Sequence, residues 1–236
     1  MKPILYVFDV DGTLTPSRQP MDADFKIWFK QYFKNREYVL VSGSDYAKLA
    51  EQVGEDILTD ARFVFPCSGN NMWMGGTEYY RSDWYPSEKL LADLNVALHD
   101  NSYAVKTGNH IEIRTGLVNF SFVGRNCTQE QRRAYAAWDQ EHSERLFLTL
   151  NLRKKYPDLK FEIGGEISLD IYPLGCDKAQ ILKHLQDYDV LFFGDGIEPG
   201  KNDYSLACAL TDHNDSESFA VTCWQNTQEI LKKLDT

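Results

Sequence analysis

Long apolar runs are missing from this 236-residue chain. The longest span five or six residues, far short of the roughly 20 needed to cross a bilayer, which excludes a membrane-spanning helix. The start, Met1 to Phe8, carries one lysine and runs straight into Asp9, without the length or small-residue cleavage site of a secretion signal. A cytoplasmic protein is therefore expected. Cysteine is sparse and scattered: Cys67, Cys127, Cys176, Cys208 and Cys223 are odd in number and form no C-x-x-C pair, which argues against a disulfide framework and a thiolate zinc site. Basic charge is also short. Lys and Arg number 25 against 35 Asp and Glu, a formal net charge of −10 that repels nucleic-acid backbones and anionic membranes, so neither is expected as a partner. There is no internal repeat and no low-complexity tract.

What is present is a globular composition, 43% hydrophobic and 25% charged, in a length that accommodates one large domain or two modest ones. Ile4 to Phe8 reads as a strand buried on both faces, followed by a helix over Asp22 to Lys34 with Asp22 as its cap. A strand at Tyr38 to Val41, a helix at Asp45 to Val53 and a strand at Phe63 to Phe65 complete a βαβαβ order, the grammar of a doubly wound, Rossmann-like parallel sheet. The middle of the chain breaks that grammar. A hairpin pairs Ile111 to Arg114 with Leu117 to Val123, and a second pairs Phe161 to Ile163 with Ile167 to Tyr172. Between them one long helix is expected from Thr128 to about Lys155, opened by the capping-box pattern Thr128-x-x-Gln131.

After Gly175 the alternation resumes with a helix at Lys178 to Leu185, a strand at Val190 to Phe193, a helix near Tyr204 to Leu210, a strand at Phe219 to Val221 and a terminal helix from Thr227. The expected α/β architecture is a core from residues 1–81 and 177–236 with an α+β domain carrying an antiparallel sheet, residues 82–176, inserted through it. The seams are read at Gly75-Gly76 with the polar stretch to Pro86, and at Pro173 to Gly175.

In an open α/β sheet ligands bind beyond the carboxyl ends of the strands. Three such ends are polar here: Asp9-Val10-Asp11-Gly12-Thr13, Ser42-Gly43-Ser44-Asp45, and Gly194-Asp195 with Asn202 and Asp203 shortly after. An oxygen-rich cluster poor in histidine and cysteine suits a hard cation such as Mg²⁺, with Asp9 and Asp195 as its natural ligands. The chemistry expected of it is phosphoryl transfer. Alternation in an extended chain would set Asp9 and Asp11 on one side, so that one carboxylate attacks phosphorus while the other moves a proton. Lys178 can balance Asp9 and the phosphoryl charge, and the Ser42 hydroxyl can bind a phosphoryl oxygen.

Phe8-Asp9-Val10-Asp11-Gly12-Thr13-Leu14-Thr15, followed by Ser42, Lys178 and Gly194-Asp195 through Asn202-Asp203, resembles the four ordered motifs of the haloacid dehalogenase (HAD) superfamily. Within it, Asp9 to Arg18, Gly43 to Glu51, Glu112 to Asn119, Gly124 to Arg132, Gly164 to Lys178 and Phe192 to Asp203 look like the eukaryotic-type phosphomannomutase family. That resemblance implies Asp9 as the phosphorylated nucleophile and Asp11 as general acid/base. It implies Mg²⁺ held by Asp9, Asp195 and the main-chain carbonyl of Asp11, with Asn202 and Asp203 also among the metal-site residues. It further implies a sugar phosphate gripped by Arg18, Arg114, Arg125, Arg132, Ser168 and Asp170, and a homodimer formed through the cap.

Two departures stand out: Ser42-Gly43-Ser44-Asp45 where the family commonly has Gly-Gly-Ser-Asp, leaving Ser42 and Ser44 both open as the phosphoryl-binding hydroxyl, and Lys201 within the Pro199 to Asp203 loop. The expected activity is Mg²⁺-dependent interconversion of mannose 6-phosphate and mannose 1-phosphate through an aspartyl-phosphate and a hexose 1,6-bisphosphate, feeding GDP-mannose synthesis. The alternatives are a sugar-phosphate phosphatase with the same nucleophile and, in a different class, a sugar-phosphate-binding protein without turnover. Residues 109–133 hold four arginines against two glutamates, a local basic segment in an acidic chain.

Overall fold

The computed structural model of the protein describes residues 2–213 and 215–234. The chain opens with β1 (Ile4–Phe8), α1 (Ala23–Tyr32), β2 (Tyr38–Val41), α2 (Tyr46–Val53), α3 (Glu55–Asp60), β3 (Phe63–Phe65), β4 (Asn71–Met74) and β5 (Thr77–Arg81). The middle contributes α4 (Glu88–Asp100), β6 (Ile111–Arg114), β7 (Leu117–Phe120), α5 (Gln129–His142), α6 (Glu144–Lys155), β8 (Leu159–Gly164) and β9 (Ser168–Pro173). It closes with β10 (Asp189–Gly194), α7 (Tyr204–Leu210), β11 (Glu217–Ala220) and α8 (Trp224–Leu234).

These elements form two compact units, one of Met1–Ser82, Gly175–Pro199 and Asp203–Thr236, the other of Asp83–Leu174 with Gly200–Asn202. In the first, the sheet order is β11-β10-β1-β2-β3-β4-β5, parallel from β11 to β3. Successive residues of its central strands feed opposite cores. Tyr6, Phe8, Tyr38 and Leu40 pack with Phe25, Phe29 and Phe33, while Leu5, Val7, Val39 and Val41 pack with Phe65, Ile181 and Leu206. Burial on both faces is why these strands read as unbroken apolar runs rather than alternating ones. Helix α1 starts where the Asp22 carboxylate accepts the N–H groups of Asp24 and Phe25. Its buried phenylalanines each contribute roughly 2–3 kcal/mol of apolar burial. The second unit carries the antiparallel sheet β6-β7-β9-β8 over its own core of Val118, Phe120, Tyr135, Phe161, Leu169 and Ile171.

The α/β class, the parallel sheet and the separate antiparallel sheet are those expected. Three local readings are corrected. Gly75-Gly76 is not a seam but the turn of the β4–β5 hairpin, which adds two antiparallel strands to the first sheet; both glycines have positive φ. The helix expected over Thr128 to Lys155 is two helices, broken at Ser143, which sits at φ 55° with no glycine or proline to announce it. Tertiary bonds hold the break: the Asp139 carboxylate accepts the Arg145 backbone N–H at 3.0 Å and Nε–H at 2.7 Å. Lys178–His184 is a 3₁₀ segment rather than an α-helix, and α3 and α4 went unread. Among the described residues no helix is long and apolar enough to cross a membrane.

Candidate active site

Strand order brings the acidic residues of the first unit together. β1 lies between β10 and β2, with Phe8 level with Phe193 on one side and Leu40 on the other, and the Asp9 N–H donates to the Phe193 carbonyl at 2.9 Å. Residues separated by nearly the whole chain, Asp9 and Asp195, thus leave adjacent strands at the same end. Here the chain's path reverses direction on the sheet, the place where such folds hold ligands. Gly12, at φ 79°, closes the turn after β1, and a Cβ there would collide with the Asp195 carboxylate. At Gly194 a Cβ would strike Asp203.

Lys178 is 1% exposed, and its Nζ donates to Asp9 Oδ1 and to Asp203 Oδ1, each at 2.5 Å. The other Asp203 oxygen accepts the Gly196 N–H at 3.0 Å, and Thr13 Oγ1 donates to Asp9 Oδ2 at 3.5 Å. Carboxylate oxygens of Asp9, Asp195 and Asp203 come within 4.8 Å of one another. Lys178 thus bonds two buried carboxylates, and the exposed Asp195 carboxylate lies beside them, so acidic groups crowd together where water screens the buried pair poorly. Burial is the main force pushing the Asp9 carboxyl well above the usual carboxylate range; Lys178 opposes it and the Asp203 and Asp195 carboxylates add to it. Burial alone would lower the Lys178 pKa, but Asp203 and Asp9 outweigh it and hold the ammonium above the usual lysine range. An all-oxygen donor set of three neighbouring carboxylates fits a hard divalent cation.

Asp11 is turned by other means than those expected. The chain bends at Val10 and makes a bridge between Asp11 and Thr15, so strand alternation does not orient its side chain. Instead Asp11 Oδ1 accepts the Arg18 backbone N–H at 2.5 Å and the Gln52 Nε2–H at 2.9 Å. Arg18 itself sits at φ 60°. Ser42 is buried, and its Oγ accepts the Ser44 N–H at 3.1 Å. The Ser44 carbonyl accepts from Cys67.

In the second unit Arg114 Nη2 donates to Glu112 Oε2 at 2.7 Å, and Arg125 Nε lies 3.3 Å from the same oxygen. Arg125 Nη1 donates to Ser168 Oγ at 2.7 Å, while Asn119 Nδ2 donates to Asp170 Oδ1 at 2.5 Å. β7 and β9 place Asn119 opposite Asp170 in register, so Arg114, Arg125, Ser168 and Asp170 belong to one continuous network with Glu112 and Asn119. Arg132 stands apart from these bonds, 3.8 Å from Glu166. Asn202 falls in the Gly200–Asn202 segment grouped with the second unit.

A model described as eukaryotic phosphomannomutase matches residues 27–235. The chain belongs to that family. A phosphomannomutase 1 of Dictyostelium discoideum is 33% identical, over 97% of this chain and 95% of its own length. A phosphomannomutase of Drosophila melanogaster is 36% identical, over 98% and 95%. Both spans reach the Asp9 to Arg18 segment that lies ahead of the matched model. In fold, a haloacid dehalogenase-like hydrolase from Bacteroides thetaiotaomicron superposes with a TM-score of 0.63 at 15% identity, covering 99% of this chain and 100% of that one.

For this phosphomannomutase-family chain, sequence reasoning missed three residues. Gln52 is 3% exposed between Leu49 and Val53 on the buried side of α2; an amide at an apolar position was the available signal. Glu112 links Arg114 to Arg125. Arg145, 8% exposed, donates through Nη1 to the carbonyls of Gly165 and Ser168 at 3.1 Å, tying down the β8–β9 turn.

Proposed function

We propose that the protein is a Mg²⁺-dependent phosphomannomutase that interconverts mannose 6-phosphate and mannose 1-phosphate through a hexose 1,6-bisphosphate, supplying GDP-mannose synthesis. The observation that carries this reading is the buried Asp9 bonded to Lys178 and flanked by Asp195 and Asp203, in a chain of this family. Asp9, Asp195 and the main-chain carbonyl of Asp11 would hold the cation, with Asp203 and Asn202 in the adjoining loop. When bound, it would offset the carboxylate surplus and orient the phosphoryl group.

An Asp9 oxygen attacks phosphorus, the bond from phosphorus to the sugar oxygen breaks, and the electron pair left on that oxygen takes a proton from Asp11. In the return step the hexose hydroxyl attacks the aspartyl-phosphate and gives its proton back to Asp11, freeing Asp9. Lys178 balances charge on Asp9, and Ser42 or Ser44 binds a phosphoryl oxygen. Residues 82–176 act as the cap. Its Arg114, Arg125 and Arg132, with Arg18 of the core, bind the phosphate that is not reacting, for which the planar guanidinium fork is well matched. Ser168 and Asp170 bind sugar hydroxyls. A homodimer through the cap is supported by Leu146, Phe147 and Leu150, exposed together on α6.

The test is to incubate the protein with mannose 1-phosphate and Mg²⁺, with and without a hexose 1,6-bisphosphate, and to follow mannose 6-phosphate and free phosphate. Bisphosphate-dependent isomerisation without phosphate release is the expected result. Phosphate release alone would make the protein a phosphatase, and no turnover in either arm would overturn both enzymatic readings.

A further inference from the structure

Gln52 is a poor choice for stability. It is 3% exposed, next to the fully buried Leu49 and Val53 on α2, and its Oε1 is buried with no hydrogen-bond partner among the described residues. An unmet buried carbonyl carries a desolvation penalty that leucine at the same place would avoid. The other half of the amide is fully used: Nε2 donates to Asp11 Oδ1 at 2.9 Å and to Thr15 Oγ1 at 3.3 Å. Thr15 Oγ1 in turn donates to the Val10 carbonyl at 3.3 Å, and the Gln52 carbonyl accepts the Met21 N–H at 2.7 Å. Gln52 is thus anchored by its own backbone and, through Thr15, to the turn that carries Asp11.

We infer that Gln52 is a positioning residue for proton transfer: it holds Asp11 through Oδ1, together with the Arg18 N–H, and leaves Oδ2 to exchange the proton with the sugar oxygen. This rests on the reading of Asp11 as the acid/base. A carboxylate free to rotate would present its oxygens at the reacting atom for only part of the time, so loss of the amide should slow the chemical step without weakening substrate binding.

The experiment compares leaving groups, using full-length protein with Mg²⁺. With mannose 1-phosphate and a hexose bisphosphate, the departing sugar oxygen needs a proton. With p-nitrophenyl phosphate, the departing phenolate does not, and the burst of p-nitrophenolate reports phosphorylation of Asp9 alone. For Gln52→Leu we expect kcat for mannose 1-phosphate to fall roughly 10- to 100-fold, part of the 10²–10⁴ that a positioned acid/base supplies, with KM nearly unchanged. The burst rate should stay within about twofold of the wild type, since that step needs no proton from Asp11. Gln52→Met, unbranched like glutamine, gives the same comparison if the leucine variant does not fold. Asp11→Asn is the control. If it spares the burst and stops the mutase while the Gln52 variants slow both or neither, the positioning role is overturned and the acid/base reading stands. If Asp11→Asn leaves the mutase running or removes the burst, the acid/base reading falls and the role of Gln52 with it.

Discussion

In the first unit Asp9 and Asp203 share the ammonium of Lys178 with Asp195 beside them, whereas in the second unit Arg114 and Arg125 share Glu112 and Arg132 faces Glu166. Carboxylates crowd the first cluster, and two of the three are buried. In the second cluster three arginines face two carboxylates, and the one opposite Arg132 is itself half exposed. On the proposed function, the difference teaches that the two places would take ligands of opposite sign on different terms. A cation entering the first relieves a strain that burial has built in. An anion reaching the second competes with a glutamate already in place, so it gains geometry and specificity more than raw attraction.

The sharpest way to break the comparison is at Asp9. Asp9→Asn keeps the shape and removes the proposed nucleophile. Turnover of mannose 1-phosphate should fall by roughly 10⁴-fold or more, while circular dichroism shows an unchanged fold; an active variant would refute the assignment. Next comes Lys178→Met, which strips two buried carboxylates of their shared partner and should cost about 3–5 kcal/mol in urea unfolding without divalent cation. Mg²⁺ itself should stabilise the wild type, by about 2.7 kcal/mol at a hundred times its dissociation constant. A chelator should reverse that gain and Asp195→Ala should abolish it, both read as shifts in thermal midpoint.

Effects in the second unit should be smaller and kinetic. Arg125→Lys loses the fork that reaches Ser168, and should raise KM for mannose 1-phosphate about tenfold with the p-nitrophenyl phosphate burst intact. Smallest of all, Glu166→Gln removes a long, exposed pairing with Arg132 and should change unfolding free energy by less than about 0.5 kcal/mol.

Much of the fold is legible in the chain because its signals are local. β1, β2 and β3 begin and end where their apolar runs do, and α1 begins at its Asp22 cap. The break at Ser143 was not legible, since it is held by Arg145 and Asp139 across the bend rather than by a glycine or proline. The β4–β5 hairpin escaped for a similar reason. Thr77–Arg81 is exposed along its length, so it lacks the apolar alternation that marks a half-buried strand.

At the site, Asp9, Asp11, Ser42, Lys178 and Asp195 were named from motifs, yet their relations were not. By itself the sequence determined which groups are available: oxygen donors at strand ends, one lysine to offset them, and an arginine-rich segment in an acidic protein. Only the tertiary structure decided that Lys178 bonds Asp203 as well as Asp9, that Asp11 is held by Gln52 and the Arg18 backbone, and that Glu112 serves two arginines at once. The physical reason is range. Strand and cap propensities act between near neighbours in the chain, whereas charge pairing and side-chain hydrogen bonds depend on distances that exist only once strand order has been fixed.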